Sequence, residues 1–177
     1  MASDRLKPLV IAALFTAVIA VATIAIPIPL PGSGYANPGD ALVIVAGCLL
    51  SPFWGSMAAG LGSMLADILL GSAAYAPATM LIKGLMAALA GFIFRRFAKK
   101  RINRMLLIIC TAFMAEVVMV TGYFLYESFL FNQVIASLNL IGNIVQGLVG
   151  ITLSAMLLPM LLNSKPIMNL LGLGGDR

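Results

Sequence analysis

Six apolar segments, separated by short breaks rich in proline, glycine or basic residues, make up most of this chain of 177 residues. They cover residues 8–26, 39–51, 54–70, 78–94, 105–126 and 134–162. A helix that crosses a bilayer needs about 20 apolar residues. The chain is 62% hydrophobic and 10% charged, whereas soluble domains average about 45–50% and about 25%. The sequence therefore predicts an all-α polytopic membrane protein with six transmembrane helices, all in one domain over residues 1–177.

Two parts of this pattern leave alternatives open. Segment 39–51 is short for a full crossing, so it is either a tilted helix or part of a re-entrant hairpin. The stretch 27–38 reads PIPLPGSGYANP and holds four prolines and two glycines, which exclude a helix. This loop, with Tyr35 and Asn37, either caps a pocket or is a plain connector.

Basic residues are confined to the chain start, the break after the fourth segment and the chain end. All but one of the 11 Lys and Arg residues lie there, so six crossings would put them on one side of the membrane. The positive-inside rule makes that side the cytoplasm, with both termini inside. These residues are Arg5, Lys7, Arg95, Arg96, Lys99, Lys100, Arg101, Arg104, Lys165 and Arg177. The net charge of +5 thus indicates membrane topology rather than nucleic-acid binding.

The sequence lacks the residues that several classes of protein need for their chemistry. There is no histidine, which removes the commonest general base and metal ligand. Cys48 and Cys110 lie inside apolar segments without metal-site spacing, and no Walker A motif is present. We expect neither an enzyme nor a bound cofactor or metal.

Asp67 and Lys83 carry charges inside apolar segments on either side of the break at 71–77. In two antiparallel helices each would lie roughly 6 to 9 Å deep, at about 1.5 Å per residue, so the two side chains could pair. A charge inside a bilayer costs roughly 2.5 to 3.5 kcal/mol, which marks a candidate functional site. The alternative is a structural ion pair that locks two helices together.

Other polar residues fall at the same outer level. On the sixth segment Asn139, Asn143 and Gln146 are spaced i, i+4, i+7, so they share one helix face. They are either interhelical hydrogen-bonding groups or the wall of a pocket. Because carboxylates, a lysine and tyrosines occur at the same depth, we favour a pocket, open outward, for a flat ligand. The candidate substrate-binding residues are Asp40, Asp67, Tyr75, Lys83, Tyr123, Asn139, Asn143 and Gln146.

Several motifs together resemble a known family. They are the A-x-x-x-A pair of Ala13 and Ala17, GYANPGDA at 34–41, SPFWGS at 51–56, GSMLAD at 62–67 and YAPATMLIKG at 75–84. In these the chain resembles the substrate-binding S components of energy-coupling factor (ECF) transporters. It looks most similar to the group that covers riboflavin, hydroxymethylpyrimidine and pyridoxine proteins.

The resemblance implies a subunit of a prokaryotic plasma membrane that captures a vitamin or precursor from outside, with pyridoxine or hydroxymethylpyrimidine favoured. It also implies docking through Ala13 and Ala17 onto a transmembrane coupling subunit. Two cytosolic ATPases would then use the ATP, and this chain would use none. The competing functions are a stand-alone channel or facilitator and an accessory subunit without a ligand.

Overall fold

The computed structural model describes residues 2–30 and 35–171, and it is helical apart from one small hairpin. Arg177 and the middle of the predicted loop, residues 31–34, lie outside the described residues. The elements in chain order are α1 (Ala2–Ala25), β1 (Ile28–Pro29), β2 (Tyr35–Ala36), α2 (Asp40–Leu49), α3 (Pro52–Leu69), α4 (Ala76–Phe97), α5 (Arg104–Leu130), α6 (Gln133–Asn163) and α7 (Lys165–Leu170). The prediction of an all-α membrane protein is confirmed. The hairpin strands and α7 were not predicted.

Local sequence explains where several helices begin. Pro52 is the first residue of α3, and the Ser51 hydroxyl just before it accepts a hydrogen bond from the Trp54 N–H. Asn103 caps α5 and Asn132 caps α6, each through a side-chain oxygen that accepts from backbone N–H groups two or three residues on. These caps satisfy N–H groups that have no partner inside the helix.

The short helix α2 lies in the middle of the molecule. It packs against α1, α3, α4 and α6, and nine of its ten residues are buried. A methyl group on Gly47 would lie 2.2 Å from the Ala87 carbonyl oxygen, and one on Gly91 would lie 2.4 Å from the Gly47 carbonyl oxygen. The two glycines therefore let α2 and α4 pack backbone to backbone.

Four of the described helices are long and apolar enough to cross a membrane, namely α1, α4, α5 and α6. At about 1.5 Å per residue α2 is only about 15 Å long, half of a hydrocarbon core about 30 Å thick. Large apolar side chains cover the outside of the long helices. Leu14, Leu85, Phe113 and Val145 are each more than half exposed, as expected for a surface that faces lipid.

The two ends of the bundle differ in charge. One end carries Arg95 and Arg96 in the last turn of α4 and Arg104 at the start of α5. Lys7 of α1 belongs to the same end, because it lines one cavity with Arg95 and donates a 3.5 Å hydrogen bond to the Asn169 carbonyl. We call this the basic end. The hairpin lies at the other end, with the α3–α4 and α5–α6 connections, and we call that the hairpin end.

Candidate functional site

Polar side chains from α1, the hairpin, α3, α4, α5 and α6 surround a small cavity at the hairpin end. Its free volume is about 20 Å³, which is room for about one water molecule. The hairpin closes one side. Its strands are antiparallel, with Ile28 opposite Ala36 and Pro29 opposite Tyr35.

A buried ion pair forms one wall of this site. The Lys83 ammonium donates to Asp40 Oδ1, and both side chains are almost fully buried. The Gln146 amide donates to Asp40 Oδ2 at 2.6 Å and accepts from the Asn37 backbone N–H at 2.9 Å. Asp40 also lies in the first turn of α2, where the helix dipole favours a negative charge.

The expected pairing of Lys83 with Asp67 is therefore wrong, because Lys83 forms its ion pair with Asp40. The reason is the position of α2, whose N-terminus enters the bundle beside α4 and brings Asp40 to the ammonium. The predicted pairing rests only on the depths of Asp67 and Lys83 in the two segments beside the break at 71–77. It does not include α2, which supplies Asp40.

Asp67 instead ties α3 to the hairpin. The Tyr35 hydroxyl donates a 2.6 Å hydrogen bond to Asp67 Oδ1. Burial, and next the bonded Asp67 carboxylate, raise the pKa of Tyr35 well above its ordinary value of 10.0, so the phenol stays a donor. Asp67 Oδ2 is buried and has no hydrogen-bond partner among the described residues.

The rings of Tyr75 and Tyr123 form a second wall, and Tyr126 and Phe131 pack against Tyr75 without lining the cavity. The ring centroid of Tyr75 lies 6.4 Å from that of Tyr123, 5.7 Å from that of Tyr126 and 6.1 Å from that of Phe131. The Lys83 ammonium lies 5.3 Å from the Tyr123 ring centroid, within the range of a cation–π contact. The Tyr123 hydroxyl is 2.9 Å from Thr79 Oγ1.

Glu127 joins this aromatic wall to α6. One carboxylate oxygen, Oε1, accepts from the Tyr75 hydroxyl at 3.2 Å and from the Asn139 amide at 2.9 Å. The other oxygen, Oε2, is buried without a partner in the described part of the chain. Burial, and next the charge of Glu127, raise the pKa of Tyr75 above its ordinary value.

Six of the eight predicted substrate-binding residues line the cavity: Asp67, Tyr75, Lys83, Tyr123, Asn143 and Gln146. The other two support the wall from behind, Asp40 through Lys83 and Gln146, and Asn139 through Glu127. All three α6 amides are buried, which fits their spacing on one helix face. The Asn143 amide nitrogen has no partner among residues 2–30 and 35–171.

The cavity has further lining residues that were not among the predicted site residues. They are Thr23, Leu30, Tyr35, Asn37, Ser63, Thr79 and Glu127. Three of them follow a signal that the sequence contains, because Ser63, Thr79 and Glu127 each lie four residues from Asp67, Lys83 and Tyr123 respectively. Residues four apart share a helix face, so a polar partner at that spacing identifies them.

A deeper carboxylate, Glu116, lies below the cavity and does not line it. It is 3% exposed, and neither of its oxygens has a hydrogen-bond partner among the residues described. A methyl group on Gly150 would lie 2.1 Å from Glu116 Oε1 and 3.1 Å from Asp40 Cβ. Glu116 thus packs against the Asp40 and Lys83 pair, outside the lining of the cavity.

The predicted docking residues lie away from the cavity. Ala13 and Ala17 are exposed on α1, whereas Ala12 and Ala20 on the same helix are buried. An apolar groove of about 360 Å³ runs beside this face between α1 and α3, and Ala13, Trp54 and Met57 help to line it.

Comparison with known proteins adds to this geometry. The model of a family described as "ECF-type riboflavin transporter, S component" matches residues 4–163. An "Uncharacterized protein in gap 3'region" of Pyrococcus woesei is 33% identical over 134 residues, which are 75% of this chain and 86% of that protein. The matched region includes every residue of the cavity. The chain therefore belongs to the ECF S-component family, and it is a non-enzymatic, substrate-binding subunit for vitamin uptake.

Proposed function

We propose that this protein captures a small, flat heteroaromatic vitamin or precursor at the hairpin-end cavity, with pyridoxine or hydroxymethylpyrimidine favoured. The observation that carries the proposal is that three buried polar atoms without a hydrogen-bond partner in the described part of the chain converge on one cavity walled by tyrosines. They are Asp67 Oδ2, Glu127 Oε2 and Asn143 Nδ2. Buried polar groups are costly unless they are hydrogen-bonded. A ligand that bonded to them and stacked on Tyr75 or Tyr123 would remove that cost. Riboflavin, which the family description names, is the larger alternative.

The site must open to admit such a ligand. Pockets for small molecules usually measure about 300–1,000 Å³, whereas the free volume here is about 20 Å³. We assign the opening motion to the hairpin, because each of its strands has only two residues and Ile28 is 56% exposed. Moving it breaks the Tyr35 to Asp67 hydrogen bond and frees the carboxylate for the ligand. In this scheme the loop is a cap, and not a plain connector.

The charge distribution supports an orientation for this capture. Six crossings with the basic end in the cytoplasm would place the hairpin end outside, in the plasma membrane of a prokaryote. In that arrangement α2 crosses together with its flanking loops, because it is too short to cross alone. The ligand would then enter directly from the external medium.

Release on the inner side needs a partner, because this sequence has no nucleotide-binding motif. We place the docking surface for the transmembrane coupling subunit on the face of α1 that exposes Ala13 and Ala17. Small side chains let another helix approach closely in a bilayer, and the adjoining groove adds apolar contact area. Two cytosolic ATPases bound to the coupling subunit would supply the energy.

Reconstituted transport tests this function. Liposomes would contain either this chain alone or this chain with the coupling subunit and both ATPases, and uptake of radiolabelled pyridoxine, hydroxymethylpyrimidine and riboflavin would be measured. We expect ATP-dependent uptake of one vitamin by the full complex and no flux through the chain alone. Flux through the chain alone would establish a channel or facilitator. Failure of every vitamin to bind or move would favour a ligand-free accessory subunit.

A further inference from the structure

Acidic side chains outnumber basic ones in the lining of the hairpin-end cavity. Two carboxylates, Asp67 and Glu127, line it together with one ammonium, Lys83. That ammonium is already paired with Asp40, which stands behind the wall. Among the described residues no other cation lines the cavity, and residues 31–34, PGSG, contain no charged side chain. The cavity lining therefore has more carboxyl groups than cations.

The hydrogen-bonding atoms show the same bias. Asp67 is 4% exposed and Glu127 is 2% exposed, and each keeps one carboxylate oxygen without a partner within the described ranges. Both of those atoms accept hydrogen bonds when their carboxyl groups are ionised. The corresponding donor is one amide nitrogen, on Asn143, which is also 4% exposed. The lining thus calls for a ligand that brings more donors than acceptors.

The aromatic wall favours the same kind of ligand. The faces of tyrosine rings are negative, and they attract cations that lie within about 6 Å of the ring centre. Lys83 already lies over Tyr123 in this way. The Tyr75 ring also lines the cavity, and its hydroxyl donates to the Glu127 carboxylate.

Building on the proposed function, we propose that, among heteroaromatic compounds of this vitamin class, the site prefers cationic ones, whose positively charged N–H group binds Asp67 and Glu127. The flat ring stacks on the tyrosines, and one acceptor on the ring receives the Asn143 N–H. A neutral or anionic compound of the same shape would leave at least one buried carboxylate without a counter-charge, which is costly in a low-dielectric site. Charge, rather than ring shape, then separates ligands of similar size.

Matched ligand pairs test this inference on the purified full chain. Pyridoxamine and pyridoxine differ by an aminomethyl group in place of a hydroxymethyl group. The 5-aminomethyl analogue of hydroxymethylpyrimidine makes the same exchange, and 4-pyridoxate supplies an anion. Isothermal titration at pH 7 should show the amine of at least one pair binding about tenfold or more tightly than its alcohol, with 4-pyridoxate the weakest. Tighter or equal binding of the alcohols or of 4-pyridoxate would overturn the inference and leave vitamin capture intact. If neither these compounds nor riboflavin bind, the proposed function fails, and the inference fails with it.

Two isosteric variants test whether Asp67 and Glu127 cause the preference for amines over alcohols. Asp67→Asn and Glu127→Gln should each lower the amine-to-alcohol affinity ratio about tenfold while the alcohol still binds. Glu116→Gln is the matched control, because it replaces a buried carboxyl group that does not line the cavity, and the ratio should stay unchanged. An equal loss of the ratio in Glu116→Gln would contradict the assignment to Asp67 and Glu127. Thermal unfolding of all three variants checks that they are folded.

Discussion

The Tyr35 hydroxyl donates a 2.6 Å hydrogen bond to Asp67, and this contact joins the hairpin to a carboxylate at the far end of α3. The same carboxylate lines the cavity, and its second oxygen is unpaired among the described residues. One residue thus takes part both in closing the site and in the proposed recognition of the ligand. Breaking this bond would both open the site and free the Asp67 carboxylate for the ligand.

Removing the Tyr35 hydroxyl should speed ligand association. A hydrogen bond to a charged group contributes about 1.5–3 kcal/mol, and this one opposes the opening of the hairpin. We expect Tyr35→Phe to raise the association rate constant about tenfold in stopped-flow binding experiments. Tyr126→Phe is the control, because the Tyr126 hydroxyl donates to the Ala74 carbonyl and does not line the cavity. An unchanged rate in Tyr35→Phe, or an equal gain in Tyr126→Phe, would refute the role of the hairpin bond.

The raised pKa of the Tyr35 phenol makes the stability of the protein depend on pH. Burial and the Asp67 charge raise the pKa of Tyr35 above its unfolded value of 10.0. The folded protein therefore holds this proton more tightly than the unfolded chain. Its contribution is complete below about pH 10 and declines as the pH rises beyond that value. Thermal unfolding from pH 8 to pH 11 should show a steeper loss above pH 10 in the wild type than in Tyr35→Phe. Parallel curves would show that Tyr35 titrates normally.

Removing one partner of the Lys83 and Asp40 ion pair should lower stability more than removing both partners. Removal of one partner from such a pair typically costs about 3–5 kcal/mol, because the other charge remains buried. Lys83→Met should therefore lower the apparent melting temperature strongly, and the double variant Lys83→Met with Asp40→Leu should recover much of the loss. Vitamin affinity is measured in parallel. Full affinity in the double variant would make the pair structural, and reduced affinity would give Lys83 a place in ligand binding.

Bulky side chains on the exposed face of α1 should separate binding from transport. Ala13→Trp with Ala17→Trp should abolish uptake and co-purification with the coupling subunit, while ligand affinity stays within about twofold. The control is Leu81→Trp with Leu85→Trp, which places two rings four residues apart on an equally exposed face of α4. Retained uptake in the α1 variant, or equal loss in the α4 variant, would remove the docking assignment.

Apolar content predicted the helical architecture well. A segment such as 105–126 that lies in lipid must hydrogen-bond its own backbone N–H and C=O groups, and a helix does this. The face of α6 that bears Asn139, Asn143 and Gln146 was predictable for a related reason, since helical spacing alone aligns the three amides. Both inferences use contacts within one helix, which local sequence determines.

The partner of Lys83 could not be predicted in the same way. It depends on the position of α2, which is set by the backbone contacts of Gly47 in α2 with Ala87 and Gly91 in α4. Nor did any local pattern predict that Tyr35 would bond to Asp67, 32 residues further along the chain. Contacts between distant segments decide both outcomes, and a single sequence does not record them.

The most direct test of vitamin capture is mass spectrometry of the small molecule released when the purified wild-type protein is denatured. A chain that captures a vitamin at the hairpin-end cavity should release close to one equivalent of a heteroaromatic vitamin or precursor. The Asn143→Ala and Asp67→Asn variants, purified in the same way, should release much less. Release of no such compound from the wild type, together with no rise in its melting temperature when vitamins are added, would contradict vitamin capture by this chain.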